Sequence, residues 1–183
     1  MRIIAGTYKG RVLKAPTWEG LRPTSDRLRE TLFNVLAPRV NGARLLDAYA
    51  GTGAIGIEAL SRGAGHATFV ESDRQAQALI AENLARCGIA DGYAIIRASA
   101  GRAFETIRSS PLFVPFDIIL LDPPYDHRAG EALAGVDALV APDGVVVFEH
   151  ARRSPVPDHV GRLVLTRDIV SGDSALALYA CQP

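Results

Sequence analysis

Leu45-Leu46-Asp47-Ala48-Tyr49-Ala50-Gly51-Thr52-Gly53-Ala54-Ile55-Gly56 decides the fold. An apolar run reaches an acid, breaks into a G-x-G-x-x-G loop, and resumes at helical spacing over Ala54–Arg62. Glycines allow a tight turn and let the backbone approach a ligand closely. Glu71 ends the next apolar run, 20 residues after Gly51. Strand, loop, helix and acid in that order mark a site for an adenosine-type cofactor, with a carboxylate for the ribose hydroxyls. Ala50, Gly51 and Gly53 of the loop, and Ser72 beside Glu71, are the expected contacts.

Outward from this unit the chain alternates. Strands are expected at Arg44–Ala50, Ala67–Ser72, Tyr93–Ala98, Phe116–Asp122 and Gly144–His150. Helices are expected between them at Ala54–Arg62, Arg74–Cys87, Gly101–Arg108 and Ala129–Val140. Continuous apolar strands separated by helices imply a parallel α/β sheet covered on both faces. Arg162–Val170 and Ala175–Cys181, joined through Ser171-Gly172-Asp173-Ser174, add an antiparallel C-terminal hairpin.

Asp122-Pro123-Pro124-Tyr125 follows the fourth strand of the alternating unit. The prolines fix φ and carry no N–H, so the loop is stiff and its carbonyls remain acceptors. A carboxylate, a carbonyl and a flat ring suit a planar group bearing an NH2. Strands one and four are neighbours in the usual doubly wound order, and ligands sit at strand carboxyl ends. Asp47, Gly51 and Asp122 should therefore converge.

Two cofactors share the glycine fingerprint. An acid at Asp47 would face the pyrophosphate of a nicotinamide dinucleotide badly. It can instead bind the α-amino group of S-adenosyl-L-methionine, and the amine-binding loop beside it points the same way.

The first 44 residues hold nine basic and three acidic groups, an excess of +6 on a chain whose net charge is zero. Such a basic end suits a polyanion. Arg2–Gly6 and Arg11–Lys14 read as a small hairpin around Tyr8-Lys9-Gly10. Thr24 or Ser25 should N-cap a helix that buries Leu28, Leu32, Val35 and Leu36, carries Arg27 and Arg29 on its opposite face, and ends at Pro38. Residues 1–42 are read as a basic extension on a core over 43–183, all one domain of 183 residues.

The chain is 48% hydrophobic and 22% charged, an ordinary globular balance. It contains no membrane-length apolar run and no signal-peptide core at its start. Cys87 and Cys181, and His66, His127, His150 and His159, show no metal-ligand spacing. No metal and no membrane are expected. A reducing cytoplasm is the expected setting. Glu149-His150 ends a strand near the site, where it either lines the pocket or, the preferred reading, forms a satisfied structural pair.

Leu46-Asp47-x-x-Ala50-Gly51-x-Gly53, Glu71 and Asp122-Pro123-Pro124-Tyr125 resemble the class I S-adenosylmethionine-dependent methyltransferases that act on exocyclic amines. Arg2–Gly6, Gly10-Arg11, Leu21-Arg22-Pro23-Thr24-Ser25-Asp26-Arg27-Leu28-Arg29-Glu30 and Gly56–Ala64 are similar to the signatures of the RsmD family. The resemblance covers nearly the whole chain. It implies a Rossmann-like doubly wound methyltransferase sheet with a small N-terminal extension. It implies methylation of a guanine N2 in 16S ribosomal RNA, free or in an assembling small subunit. A monomer is expected.

On that reading Asp122, Pro123 and Tyr125 are catalytic, and Asp122 also borders the cofactor. Lys9, Arg11, Arg22, Thr24, Arg27 and Arg29 hold RNA. Many relatives place an acid after the third strand for the adenine amine. Here Ser99, with Ala100, stands in its place. Methylation of adenine N6, or RNA binding without catalysis, is the alternative reading.

Overall fold

Most of the apolar runs form strands whose inner residues are sealed from water on both faces, while the run over Tyr93–Arg97 is only half-buried. The computed structural model describes residues 1–18, 25–124 and 128–182. The elements are α1 (Asp26–Val40), β1 (Arg44–Asp47), α2 (Ala54–Ser61), β2 (His66–Glu71), α3 (Arg74–Arg86), β3 (Tyr93–Arg97), α4 (Ala100–Arg108), β4 (Phe116–Leu121) and α5 (Ala129–Leu133). A 3-10 turn (Val136–Ala138) precedes β5 (Val140–Ala151), β6 (His159–Val160), β7 (Leu163–Ser171) and β8 (Ser174–Cys181).

One eight-stranded sheet runs in the order β3-β2-β1-β4-β5-β8-β7-β6. β1 to β5 are parallel, and β8, β7 and β6 join antiparallel. The doubly wound sheet with its antiparallel C-terminal hairpin is thus as expected. β1 lies between β2 and β4, pairing Asp47 with Phe69 and with Leu120. The order reverses at β1, which opens the crevice where α/β sheets bind ligands.

Alternation along each strand splits the core. Leu45, Phe69, Ile118, Leu120, Val145 and Val147 face α1, α2 and the N-terminal extension. Leu46, Val70, Ile119, Leu121, Val146 and Phe148 face the side of α4 and α5. Ile3 and Leu13 are about as buried as the strands they cover, at 1% and 2% exposure, and share that first cluster. The extension hairpin is reduced to a bridge between Arg2 and Val12, with Ile3 N–H donating to the Arg11 carbonyl at 3.0 Å.

Several boundaries differ from expectation, among them β1, which ends at Asp47 rather than Ala50. α1 continues through Pro38 to Val40. Proline removes one helical hydrogen bond, but Val40 is buried and Arg39 Nη1 donates to the Asp143 carbonyl at 2.7 Å, so tertiary contacts hold the last turn. The helix expected over Ala129–Val140 stops at Leu133, because Gly135 takes a left-handed φ of 75° and restarts the chain as a 3-10 turn. β5 accordingly begins at Val140 and reaches Ala151, with an irregular register against β4 between Phe116 and Ile118. Ser25, rather than Thr24, caps α1, its hydroxyl accepting from Leu28 N–H at 3.2 Å. Thr24 lies outside the described residues.

Candidate functional site

The carboxyl ends of β1, β2 and β4 each deliver an acid to the crevice. Ala48 N–H donates to the Leu120 carbonyl and Ala50 N–H to the Val70 carbonyl, both at 3.0 Å, which seats the glycine loop between the neighbouring strands. Gly51 and Gly53 have φ of 53° and 77°, left-handed values that side chains resist. Gly53 starts α2. Gly56 serves packing: a Cβ there would stand 2.2 Å from the Phe69 ring. Only glycine lets α2 lie this close to β2, the role of the third glycine in such loops.

Asp47 is 2% exposed and accepts from Gly56 N–H at 3.3 Å. Burial pushes its carboxyl up from 3.8 to about 7. The Gly56 hydrogen bond opposes this, and the Asp122 and Glu71 charges add to it. That mutual repulsion places the three acids in one electrostatic neighbourhood. Glu71 accepts from Gly51 N–H at 2.9 Å and from Asp73 N–H at 2.8 Å. A carboxylate offers about four lone-pair directions, so two N–H bonds leave acceptor capacity for hydroxyls. Ser72 is exposed beside it. Ser99 is exposed at the N-cap of α4 and its hydroxyl makes no capping bond; Ala100 behind it is buried. Ser99 therefore has a hydroxyl available just past the end of β3.

Asp122 is half-buried and Pro123 buried at the end of β4, directly beside this loop. Tyr125 lies outside the described residues, as do Arg22 and His127. A pocket of about 290 Å³ opens past the prolines. Its lining includes Pro123, Pro124, Arg128, Phe148, Glu149 and His150. It exists because β5 outlasts β4: pairing ends at Leu121 with Phe148, while β5 continues to Ala151 against β8 alone. Sequence reasoning missed Phe148, since a strand's apolar run does not tell where its neighbour stops.

Glu149 and His150 do not form the expected pair. Adjacent strand residues point to opposite faces. His150 Nε2 lies 3.1 Å from Asp168 Oδ1, and Nδ1 lies 3.1 Å from the Ala151 and Ser154 carbonyls. Its ring also stacks on Phe148, centroids 6.1 Å apart.

The expected polyanion contacts divide. Lys9, Arg11 and Arg27 are exposed. Arg11 stacks over the Tyr8 ring at 5.2 Å and its Nη1 donates to the Cys87 carbonyl. Arg29 is a correction: it is fully buried. Its Nη2 donates to Asp26 at 2.7 Å and to the Arg2 carbonyl at 2.9 Å, and its Nη1 stands 3.9 Å from Glu58. Packing of α1 against α2 turns this arginine inward, so it holds the extension and cannot reach a phosphate.

Among the described residues no cluster of His, Cys, Asp and Glu could hold a metal, and no helix is long and apolar enough to cross a membrane.

Comparison with known proteins agrees with this fold. The family model described as Conserved hypothetical protein 95 matches residues 1–180. YlbH of Bacillus subtilis is 38% identical over 182 residues, covering 98% of each chain. Ribosomal RNA small subunit methyltransferase D of Escherichia coli K12 is 36% identical over 182 residues, covering 98% of this chain and 89% of the relative. The solved structure of the Thermus thermophilus protein TTHA0928 superposes with a TM-score of 0.83 at 30% identity, covering 98% of this chain and 99% of that one. The chain belongs to the Conserved hypothetical protein 95 family, the family of ribosomal RNA small subunit methyltransferase D.

Proposed function

We propose that this protein transfers a methyl group from S-adenosyl-L-methionine to the exocyclic N2 amine of a guanine in small-subunit ribosomal RNA. The observation that carries the reading is the pairing of β1 with β4, which sets Asp47 opposite Leu120 and so brings the end of β4, where Asp122 stands, beside it. An amine-accepting loop thereby borders the cofactor crevice.

The residues present fit that cofactor. Asp47 is a buried carboxylate held up to about 7, so a cation beside it is favoured, and the α-amino group is one. Glu71 suits the ribose hydroxyls and Ser99 the adenine edge. The pyrophosphate of a nicotinamide dinucleotide over the glycine loop would face the buried acid Asp47, which disfavours that cofactor. When bound, the sulfonium supplies an electrophilic methyl group.

The chain's own part is positioning, since displacement at a methyl group needs an in-line approach. A guanine N2 lone pair is delocalised into the ring and is a poor nucleophile. Asp122 and the Pro123 carbonyl accept its two N–H bonds. That frees the lone pair to point at the methyl group and stabilises positive charge as it grows on nitrogen. The proton leaves after transfer, so Asp122 need not be a strong base. Tyr125 stacks on the extruded base, a contact of about 1–3 kcal/mol. Arg22, Thr24, Lys9, Arg11 and Arg27 remain candidate RNA contacts, and the protein acts as a cytoplasmic monomer.

The test is to map methylated nucleotides in small-subunit RNA from a strain lacking the gene, with and without complementation. A guanine whose N2 methyl disappears and returns supports the reading. Loss at an adenine N6 would favour the rival amine, and no change would reject both.

A further inference from the structure

We infer that the turn ending β5, together with Arg128, forms a phosphate-binding rim that holds the RNA strand at the mouth of the pocket. This rests on the RNA reading above and assigns contacts that the N-terminal charge excess does not supply.

Much of that excess is tied up as fasteners. Arg29 is buried against Asp26 and Glu58. Lys14 pairs with Glu82 at 2.7 Å, Arg11 donates to the Cys87 carbonyl, and Arg39 donates to the Asp143 carbonyl at 2.7 Å. These bonds attach the extension and α1 to the core.

The pocket rim differs. Arg128 lines the pocket and is exposed. Ala151 and Ser154 also line it, and they bracket Arg152 and Arg153. Ser154 N–H donates to the Ala151 carbonyl at 2.8 Å, which closes a tight turn with both arginines at its corners. Arg152 N–H donates to the Asp173 carbonyl at 2.8 Å, and His150 Nδ1 braces the Ala151 and Ser154 carbonyls from inside. The backbone is thus held while both side chains are exposed. Among the described residues none of the three arginines makes an ion pair. The nearby Asp168 is already engaged by His150.

One exposed arginine that lines a base-sized pocket, and two more in the turn whose ends line it, fit a polyanion whose repeat is a phosphate per nucleotide. Arginine forms bidentate bonds to phosphate. Such contacts fix register and orientation without reading sequence. They would hold the backbone on either side of an extruded nucleotide while the pocket takes its base.

The experiment compares wild type, Arg152→Gln/Arg153→Gln, and Arg108→Gln. Arg108 is an exposed arginine at the end of α4, leading to the far end of β4. Binding of a labelled 12-nucleotide single-stranded RNA is measured from 50 to 200 mM KCl. Methyl transfer to undermethylated small-subunit RNA is measured alongside. Each lost phosphate contact on a single strand reduces the salt slope by about 0.7. The double variant should lose about 1.4 from the slope, bind RNA roughly tenfold more weakly at 100 mM and raise KM for RNA. Its kcat and its affinity for S-adenosylmethionine should hold. Arg108→Gln should match wild type. An unchanged slope in the double variant, or a fall in kcat without one, overturns the rim. If wild type methylates no RNA, the functional reading fails, while the slope still decides whether the rim binds a polyanion.

Discussion

Glu58 of α2 and Arg29 of α1 are both fully buried, with Glu58 Oε2 3.9 Å from Arg29 Nη1. Glu58 also accepts from Ile4 N–H at 2.8 Å, Ala5 N–H at 3.0 Å and Arg62 Nε at 2.8 Å. One carboxylate therefore ties the extension, α1 and the end of α2 together behind the glycine loop. Removing one partner of a buried pair leaves the other charge and its donors uncompensated, at about 3–5 kcal/mol. Glu58→Ala should lose that much in urea unfolding. At about 2–4 °C per kcal/mol for a chain of this size, its Tm should fall by roughly 10 °C. A loss below about 1 kcal/mol would show that the clamp is not structural.

Gly56→Ala should destabilise the protein by about 1–3 kcal/mol through overpacking, because its Cβ would stand 2.2 Å from the Phe69 ring. The glycine loop starts the same helix, so affinity for S-adenosylmethionine should fall with it. Adding Phe69→Leu makes room and should restore much of both. Calorimetric titration of the single and double variants checks this.

Asp47 makes stability depend on pH with a definite sign. Its folded value of about 7 lies above the ordinary 3.8, so the unfolded chain gives up this proton first. Its contribution is therefore fullest below about pH 4, declines as pH rises to about 7, and stays low above. At 1.36 kcal/mol per pH unit the decline is on the order of 4 kcal/mol. Asp47→Asn should lack it, and should be more stable than wild type at pH 8 in urea unfolding while binding the cofactor more weakly.

The same group should release a proton when the cofactor binds. At pH 6 much of Asp47 is protonated, and an ammonium beside it favours the ionised form. Calorimetry in buffers of different ionisation enthalpy should show release at pH 6 and little at pH 8. Equal heats across buffers at pH 6 would remove Asp47 from the amino-group site.

Asp122→Asn should lower methyl transfer by about 10²–10³, the usual effect of removing one electrostatic stabiliser. Its cofactor affinity should stay close to wild type. Asp122 is one cause of the raised Asp47 value, so proton release at pH 6 should shrink in the variant. Methyl transfer at the wild-type rate would end the role assigned to this carboxylate.

The local sequence determined the sheet and its ligand edge. Gly51 and Gly53 mark a turn that needs left-handed φ, and Ile118 to Leu121 form a run that only a buried strand can hide. Strand order then brings Asp47, Glu71 and Asp122 together without further information. The boundary near Pro38 departs from local preference because the burial of Val40 overrides it, whereas α5 stops early in keeping with glycine's own preference, at the left-handed φ of Gly135. Arg29 was beyond sequence reasoning. Whether a helical arginine meets water or a carboxylate depends on Glu58, which reaches it only after α1 packs on α2. The pocket was equally hidden, since it is the space left where β5 runs past β4. Short-range periodicity and turn chemistry are written residue by residue. Which charges are sealed inside and which arginines rim a cavity is settled only when distant elements meet.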